Sequence, residues 1–204
     1  MKEKPTSRDL QAQRTRKKLL RTSMKLIGTE GYRNVTIQRI CKECGVSVGA
    51  FYQYFDSKRD IVAHLSRQRN ENIYQAAQSL DFSKPARQVY LDYVRITMEY
   101  VEKQGHLQAK TILTGMMEAP DVGDLNHGLQ FRKEIIFRIL EHGRATGEFA
   151  PSMGDEDFFF LYSAPFHGLM VLWCYRDGNL DVVADGCRKL GALLPILLAP
   201  GSPS

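Results

Sequence analysis

The chain has 204 residues, of which 43% are hydrophobic, 10% aromatic and 25% charged. This composition excludes a disordered chain, a collagen-like chain and a small disulfide-stabilised scaffold, because the length allows a substantial apolar core. The segment 1–18 holds no apolar run of the kind that a secretory signal needs, and four cysteines without such a signal favour a reducing cytoplasm.

Charge divides the chain into two parts. Residues 1–70 carry 16 Lys and Arg against 6 Asp and Glu, a net charge of +10, whereas residues 71–204 carry 12 against 17, a net charge of −5. A basic segment is typical of a protein that binds a polyanion such as DNA, but a solvated basic face has the same composition. The motifs inside the basic segment have to separate these two interpretations.

Helical spacing runs through the basic segment. Apolar residues recur at this spacing in three predicted helices: Leu20, Met24, Ile27, Ile37, Ile40, Cys41, Cys44, Phe51 and Phe55. Gly31 and Gly45 are placed to end the first two helices, and Thr36 and Ser47 are placed to cap the second and third. Two short helices joined by a three-residue turn that contains glycine form a helix-turn-helix.

The remainder of the chain continues in helices. Ser57 followed by Asp60 has capping-box spacing and opens a fourth helix, which runs toward Leu80. Further helices are predicted over 86–105, from 107 to near Pro120, and over 125–147, 155–175 and 181–198. No stretch shows the alternation of a strand. We therefore predict an all-α protein of about nine helices. Its two domains are an N-terminal three-helix DNA-binding domain over 1–60, with the helix-turn-helix motif at 36–55, and a C-terminal helical bundle for ligand binding and dimerisation over 61–204.

One segment has the length of a short membrane span. Residues 158–175 form a stretch of 18 residues without a charged side chain, and this length is near the lower limit for a membrane-spanning helix. Pro165 and His167 lie in its middle, an acidic cluster at 155–157 precedes it, and the sequence has no second such segment. We therefore interpret it as a helix buried in a bundle or a subunit interface, and we expect no membrane association.

The segment 31–58 carries a family resemblance. It reads GYRNVTIQRICKECGVSVGAFYQYFDSK and, with its flanks over about 12–65, it resembles the signature of the tetracycline-repressor (TetR) family of bacterial transcription regulators. Past residue 80 the resemblance is architectural, apart from Gly-Glu-Phe-x-Pro at 147–151. Cys41 and Cys44 depart from the small Ala-type residues that are usual there. The resemblance implies an N-terminal DNA-binding domain, a ligand-binding and dimerising C-terminal domain, and repression that a small molecule relieves.

The third predicted helix has the side chains of a recognition helix. A helix in the major groove needs small or polar residues at its N-terminal turn, so that its backbone can approach the base edges. Tyrosine hydroxyls can donate to phosphates, Gln53 can pair with adenine, and the charge of Lys58 adds to a helix N-terminus that favours phosphate. The predicted DNA contacts are Thr36, Gln38, Ser47, Val48, Gly49, Ala50, Tyr52, Gln53, Tyr54 and Lys58. A homodimer on an inverted repeat of double-stranded DNA is expected.

The C-terminal helices supply large apolar side chains, which either fill a core or line a pocket between bundle helices. The predicted effector pocket consists of Tyr93, Met98, Leu113, Met116, Met117, Phe137, Tyr162, Phe166 and His167. These residues favour an apolar or aromatic effector. The predicted dimer interface consists of Leu169, Leu172, Trp173, Leu190 and Leu194.

Cys41 and Cys44 share a helix face and could form a redox or zinc site. Zinc needs four ligands, and the sequence offers no second pair nearby, so packing is the favoured interpretation and no metal or cofactor is expected. No catalytic motif is found. The sequence therefore predicts a DNA-binding regulator and no enzyme, most simply a repressor that its effector releases. The alternative is a DNA-binding protein of the same fold that is controlled by the two cysteines or by a protein partner.

Overall fold

The computed structural model describes residues 6–118, 122–150 and 154–197. Its helices are α1 (Ser7–Glu30), α2 (Ile37–Cys44), α3 (Val48–Tyr52), α4 (Lys58–Ala77), α5 (Ala86–Gln104), α6 (His106–Glu118), α7 (Val122–Ala145), α8 (Asp155–Tyr175), α9 (Val182–Gly191) and α10 (Leu194–Leu197). The prediction of an all-α fold is confirmed. The helix predicted over 181–198 is divided into α9 and α10, and Pro120, expected to end α6, lies outside the described residues.

Short-range signals set the boundaries of the helix-turn-helix, as predicted. The Thr36 hydroxyl accepts a hydrogen bond from the Arg39 N–H at 3.1 Å, and the Ser47 hydroxyl accepts one from the Ala50 N–H at 3.1 Å. Gly45 ends α2 with φ 64° and ψ 37°, a left-handed backbone conformation that residues with a Cβ rarely adopt. Each cap satisfies a backbone group that the helix itself leaves unpaired.

Two hydrophobic cores form, and α4 contributes to both. The N-terminal core packs α1, α2 and α3 against the first turns of α4, where Ile61 and Leu65 are buried. The C-terminal core packs α5, α7, α8 and α9 around the last turns of α4, where Ile73 and Ala77 are buried. The domain division predicted at residue 60 therefore falls at the start of a helix that serves both cores.

Helix α6 is a second connection between the cores. Its Thr111 hydroxyl donates to the Met24 carbonyl of α1 at 3.0 Å, and its Ile112 belongs to the N-terminal core. At Gly115 an added Cβ would lie 2.6 Å from a Val62 methyl, so the backbone of α6 packs directly against a side chain of α4. α6 also packs on α8. A displacement of α4 or α6 within the bundle would therefore also displace side chains of the N-terminal core.

Helix α8 is partly buried. Its length and its mean hydropathy of 1.3 are those of a helix that could cross a membrane. One face, however, packs on α6, α7 and α9. The opposite face presents residues spaced by three or four, which we call the α8 stripe: Phe160, Ala164, Gly168, Val171 and Tyr175. Three of these are large and exposed, with exposed fractions of 68% for Phe160, 53% for Val171 and 86% for Tyr175.

Candidate nucleic-acid interface and effector site

Helix α3 presents the surface expected of a recognition helix. Phe51 is fully buried beneath it and fixes its orientation, while Tyr52 is 53% exposed and Val48 37% exposed. An added Cβ at Gly49 would meet nothing closer than the Ser47 hydroxyl at 3.9 Å, so the first turn is open to an approaching groove. The small and polar residues thus lie outward, and the aromatic ring that holds them lies inward.

The other predicted contacts lie around this helix. Thr36 is exposed at the N-cap of α2, Gln38 is exposed in the first turn of α2, and Ala50 is half-buried on α3. Gln53 is exposed and Tyr54 half-buried, but both follow the last residue of α3. They therefore belong to the turn after the recognition helix, which is shorter than the sequence motif indicates.

The ammonium group of Lys58 is bound by backbone carbonyls of the protein itself. Its ammonium donates to the Tyr32 carbonyl and, at 2.7 Å, to the Val35 carbonyl. It also lies 4.1 Å from the centre of the Tyr32 ring. Burial lowers the pKa of Lys58. The sequence suggested a phosphate contact, whereas the structure shows a side chain that ties α4 to the turn between α1 and α2.

The start of α1 adds residues that the sequence analysis missed. Arg8 and Gln11 form a shallow groove with Gln53 and Tyr54, beside the end of α3. Exposed basic residues continue along α1: Arg8, Arg14, Lys17, Lys18, Arg21 and Lys25. The signal for this helix start was the capping box of Thr6 and Asp9, which places the first turn at Ser7.

The two cysteines of α2 are packed in the N-terminal core. Cys41 is 3% exposed and Cys44 1% exposed. Burial raises the pKa of the Cys41 thiol, which lowers its reactivity at neutral pH. No group of three or more side chains that could hold a metal ion occurs in the described part of the chain. The burial of both thiols in the N-terminal core agrees with the interpretation that Cys41 and Cys44 are packing residues.

The predicted effector-pocket residues are not all together. Tyr93, Met98, Tyr162 and Phe166 are buried in the C-terminal core, and three more lie at its edge or are half-buried: Leu113, Phe137 and His167. Met117, in contrast, is 80% exposed, and Met116 packs against the N-terminal core. Including these two methionines was wrong, because the last turn of α6 faces the N-terminal core and not the interior of the bundle.

Two arginines that the sequence analysis did not single out lie inside the bundle. Arg69 of α4 is 6% exposed and Arg132 of α7 is 2% exposed. We define the arginine cluster as Arg69, Tyr93, Thr97, Arg132, Tyr162 and His167. The Arg132 guanidinium lies 4.3 Å from the centre of the Phe166 ring and 5.5 Å from that of Tyr162.

The charges of the arginine cluster act on one another. Burial, together with the charge of Arg132, lowers the pKa of Arg69 to about 10, so that Arg69 remains protonated at neutral pH. The same two causes lower the pKa of His167 to about 4, so that its ring is neutral. The His167 Nδ1 lies 2.8 Å from the Ser163 carbonyl. The interior of the bundle thus holds two positive charges beside aromatic rings.

A cavity of about 460 Å³ opens elsewhere, at the junction of α1 and α4 with the α5–α6 turn. It is bordered mainly by polar and basic residues, which include Arg16, Lys17, His64 and Gln108. Arg16 and His64 lie within hydrogen-bonding distance across it, at 3.2 Å. None of the predicted effector-pocket residues lines it.

The predicted dimer interface needs a correction. Leu169 and Trp173 are each 4% exposed and Leu190 is 1% exposed, so these side chains are buried within the protomer. Leu172 and Leu194 are only partly buried. The apolar face that remains uncovered on α8 is the α8 stripe. Three of the five predicted interface residues therefore face the core of the protomer, because the composition of α8, which is apolar on most sides, does not show which face packs inward.

Comparisons with known proteins agree with this architecture. The family model for "Bacterial regulatory proteins, tetR family" matches residues 19–65. The chain is 44% identical to the HTH-type transcriptional regulator YuxN of Bacillus subtilis (strain 168), over 24% of this chain and only 17% of YuxN. It is 22% identical to the HTH-type transcriptional repressor BepR of Brucella suis biovar 1 (strain 1330), over 94% of this chain and 96% of BepR. The fold resembles the transcriptional regulator FadR of Bacillus subtilis, solved with stearoyl-CoA: the TM-score is 0.72 at 19% identity, over 87% of this chain and 96% of FadR.

Proposed function

We propose that the chain is a member of the TetR family of bacterial regulatory proteins, whose family model matches residues 19–65, and that it is a cytoplasmic DNA-binding repressor, not an enzyme, that a small effector releases. The observation that carries this proposal is the exposed first turn of α3 on a segment with a net charge of +10. Val48 and Ala50 can contact thymine methyls, and Tyr52 and Gln53 can reach phosphate and base edges. The exposed basic residues of α1 supply the charge that neutralises phosphates.

We further propose that it acts as a homodimer on an inverted repeat. One α3 is five residues long and reads few base pairs, so specific binding needs two copies about one helical turn (~34 Å) or more apart. The α8 stripe supports a two-fold contact, because it offers one continuous apolar face that a second copy can cover with the same face. Gly168 lets the two helices approach closely.

An apolar or aromatic effector is favoured by the aromatic side chains of the C-terminal core. Tyr93, Tyr162 and Phe166 form a contiguous set, with ring centres 5.6 Å apart for the first pair and 6.2 Å apart for the second. FadR, which shares the fold, was solved with a ligand that carries a long acyl chain. Such a body would pack against these rings, where α5 meets α8.

The proposed switch acts through α4 and α6. An effector shifts the equilibrium between two arrangements of the DNA-binding domains only if it binds one arrangement more tightly than the other. α4 carries Arg69 and Ile73 in the bundle and Ile61 in the N-terminal core, so a shift of α4 changes the separation of the two α3 helices in a dimer. A coupling of about 1–3 kcal/mol would lower operator affinity roughly 5- to 150-fold.

The test is a footprint on the DNA that flanks the gene, repeated at several salt concentrations, with candidate effectors and with an oxidant. We expect protection of an inverted repeat, a steep loss of affinity with salt, and release by an apolar or aromatic compound. Sequence-independent binding at every salt concentration would contradict specific repression. Release by oxidant in the wild type, and not in a Cys41→Ala/Cys44→Ala variant, would favour the redox alternative, which the burial of both thiols opposes.

A further inference from the structure

The two buried arginines of the bundle lack an acidic partner. Within the ranges that the structure describes, no carboxylate oxygen lies within 4.0 Å of the Arg69 or Arg132 guanidinium, and neither makes a hydrogen bond. Removing an unpaired charge from water is costly, and the aromatic rings of Phe166 and Tyr162 beside Arg132 offset only part of that cost. Two unpaired guanidinium groups in one core therefore call for an explanation other than packing.

The groups around these arginines are mostly donors. Buried polar atoms without a hydrogen-bond partner come from α4, α5, α7 and α8: Arg69 Nε, Asn70 Oδ1, Tyr93 Oη, Thr97 Oγ1, Arg132 Nε and Nη2, Tyr162 Oη and Ser163 Oγ. All but the Asn70 oxygen can donate. An excess of buried donors beside two positive charges is the complement of an oxyanion, which accepts several hydrogen bonds and neutralises charge.

Several of these groups are neighbours in space. The Tyr93 hydroxyl lies close to the Tyr162 and Thr97 hydroxyls without the geometry of a full hydrogen bond, and the charge of Arg132 acts on the same group. Arg132 also acts on Arg69 and on His167. Tyr162 stacks on Phe166, with ring planes 16° apart. The two arginines and the hydroxyls of Tyr93, Thr97 and Tyr162 therefore meet in one region of the core, beside the Phe166 ring.

We propose that the arginine cluster binds the headgroup of the effector, and that the effector carries an oxyanion, a carboxylate or a phosphate ester, on an apolar or aromatic body. Arg132 and Arg69 hold the oxyanion, the hydroxyls of Tyr93 and Thr97 donate to it, and Tyr162 and Phe166 pack on the body. This inference deepens the proposed function and rests on it for one point only, namely that the bound molecule changes DNA binding.

The position of Arg69 explains how an anion could act on DNA binding. Arg69 lies on α4, on the same helix as Ile61 and Leu65 of the N-terminal core. An oxyanion held between Arg69 and Arg132 pulls α4 toward α7, and α4 carries this displacement to the DNA-binding domain. A neutral body without the oxyanion lacks this contact and is expected to act weakly.

A carboxylate placed in the chain tests the site without any ligand. Thr97 is fully buried and its hydroxyl has no partner, so Thr97→Asp puts a carboxylate among the donors, and Thr97→Asn is its neutral isostere. We expect the melting temperature of Thr97→Asp to exceed that of Thr97→Asn by about 2–4 °C, and the difference to vanish when Arg132→Met is added. A Thr97→Asp protein that melts at or below Thr97→Asn, or fails to fold where Thr97→Asn folds, overturns the proposal.

Acids and their neutral analogues test the ligand class. The probes are phenylacetate, phenylacetamide, decanoate, decanol and phenyl phosphate, each titrated into wild type, Arg69→Met and Arg132→Met by thermal shift and calorimetry. We expect an acid to bind more than tenfold tighter than its neutral analogue, and each arginine variant to lose that preference; the two kinds of acid distinguish carboxylate from phosphate. Equal binding of acids and neutral analogues overturns the proposal, and if no probe binds, the Thr97→Asp comparison decides.

An operator titration separates the inference from the function on which it rests. An acid that binds through the two arginines and releases the operator supports both. An acid that binds through them and leaves operator affinity unchanged at saturation supports the anion site and contradicts effector-controlled repression. Release of the operator by neutral compounds alone, with no effect of Arg69→Met or Arg132→Met, keeps the proposed repressor and refutes the anion site.

Discussion

The two cores of this protein place their polar groups in opposite ways. The N-terminal core buries Phe51 and Ile61 and, apart from the buried Ser23 hydroxyl, presents hydroxyls and amides to solvent around α3. The C-terminal core buries unpaired polar groups, among them Arg132 and the Tyr93 hydroxyl. Exposed polar groups around a fixed apolar core suit a partner that lies outside, such as a DNA groove. Unpaired polar groups within a core suit a small partner that lies inside.

The same difference sets the expected effect of mutations. In the N-terminal core a side chain is either structural or functional, because the inner and outer faces of α3 are distinct. In the C-terminal core one side chain can be both, since Tyr162 packs the bundle and belongs to the arginine cluster, and Phe166 packs the bundle and contacts Arg132. Changes near α3 should therefore separate stability from binding cleanly, and changes in the bundle should alter both.

The largest effect is expected from Phe51→Ala. Removing a fully buried phenyl ring leaves a cavity and should lower the free energy of unfolding by about 3–5 kcal/mol. Tyr52→Ala, its exposed neighbour, should change that free energy by less than about 0.5 kcal/mol and still weaken operator binding. Denaturant titrations and operator titrations of the two variants measure both quantities. Equal loss of stability in the two variants would show that the faces of α3 are not distinct.

A charge on the α8 stripe is expected to be nearly as damaging. Val171→Glu places two like charges across the proposed two-fold axis, which costs several kcal/mol and should give monomers with weak operator binding. Gln130→Glu, on an exposed part of α7, is the matched control and should remain dimeric. Light scattering at micromolar concentration measures both proteins. A wild-type protein that is a monomer under these conditions would exclude the dimer.

Much of the N-terminal domain could be predicted because its signals are local. A cap such as Thr36 or Ser47 and a left-handed glycine such as Gly45 act within one turn of the chain, so the sequence shows them directly. The role of Lys58 could not be read in the same way. Its acceptors, the Tyr32 and Val35 carbonyls, come from another turn and are set by the packing of α4 on α1.

The bundle was less predictable for two physical reasons. Helix α8 is apolar on most sides, so its composition does not tell which face packs inward: Leu169, which was predicted at the dimer interface, is buried, and Val171 is exposed. The arginine cluster joins residues of four helices that are distant in sequence. Arg69 and Arg132 each resemble an ordinary solvated arginine until tertiary packing buries them.

A pH titration of stability sharpens the contrast between the cores. The folded-state pKa of His167 is about 4, below its unfolded value of about 6.5, so the unfolded chain binds more protons in between. His167 therefore contributes stability that is complete above pH 6.5 and is lost as the pH falls toward 4. We expect wild type to lose about 2–3 kcal/mol more than His167→Gln between pH 7 and pH 4.5 in denaturant titrations. Parallel curves for the two proteins would show that the pKa of His167 is not lowered in the folded protein.

The smallest of these effects concerns Lys58, and it decides whether that residue belongs to the core or to the DNA interface. Its ammonium donates to two carbonyls in a partly buried position, so Lys58→Met leaves both acceptors unpaired and should lower the free energy of unfolding by about 1–3 kcal/mol. Because that charge is engaged within the protein, the slope of operator affinity against salt concentration should hardly change. Lys17→Met, which removes an exposed charge of α1, should instead leave stability unchanged and flatten the slope by about one unit. If Lys58→Met flattens the slope and leaves stability intact, its phosphate role is restored.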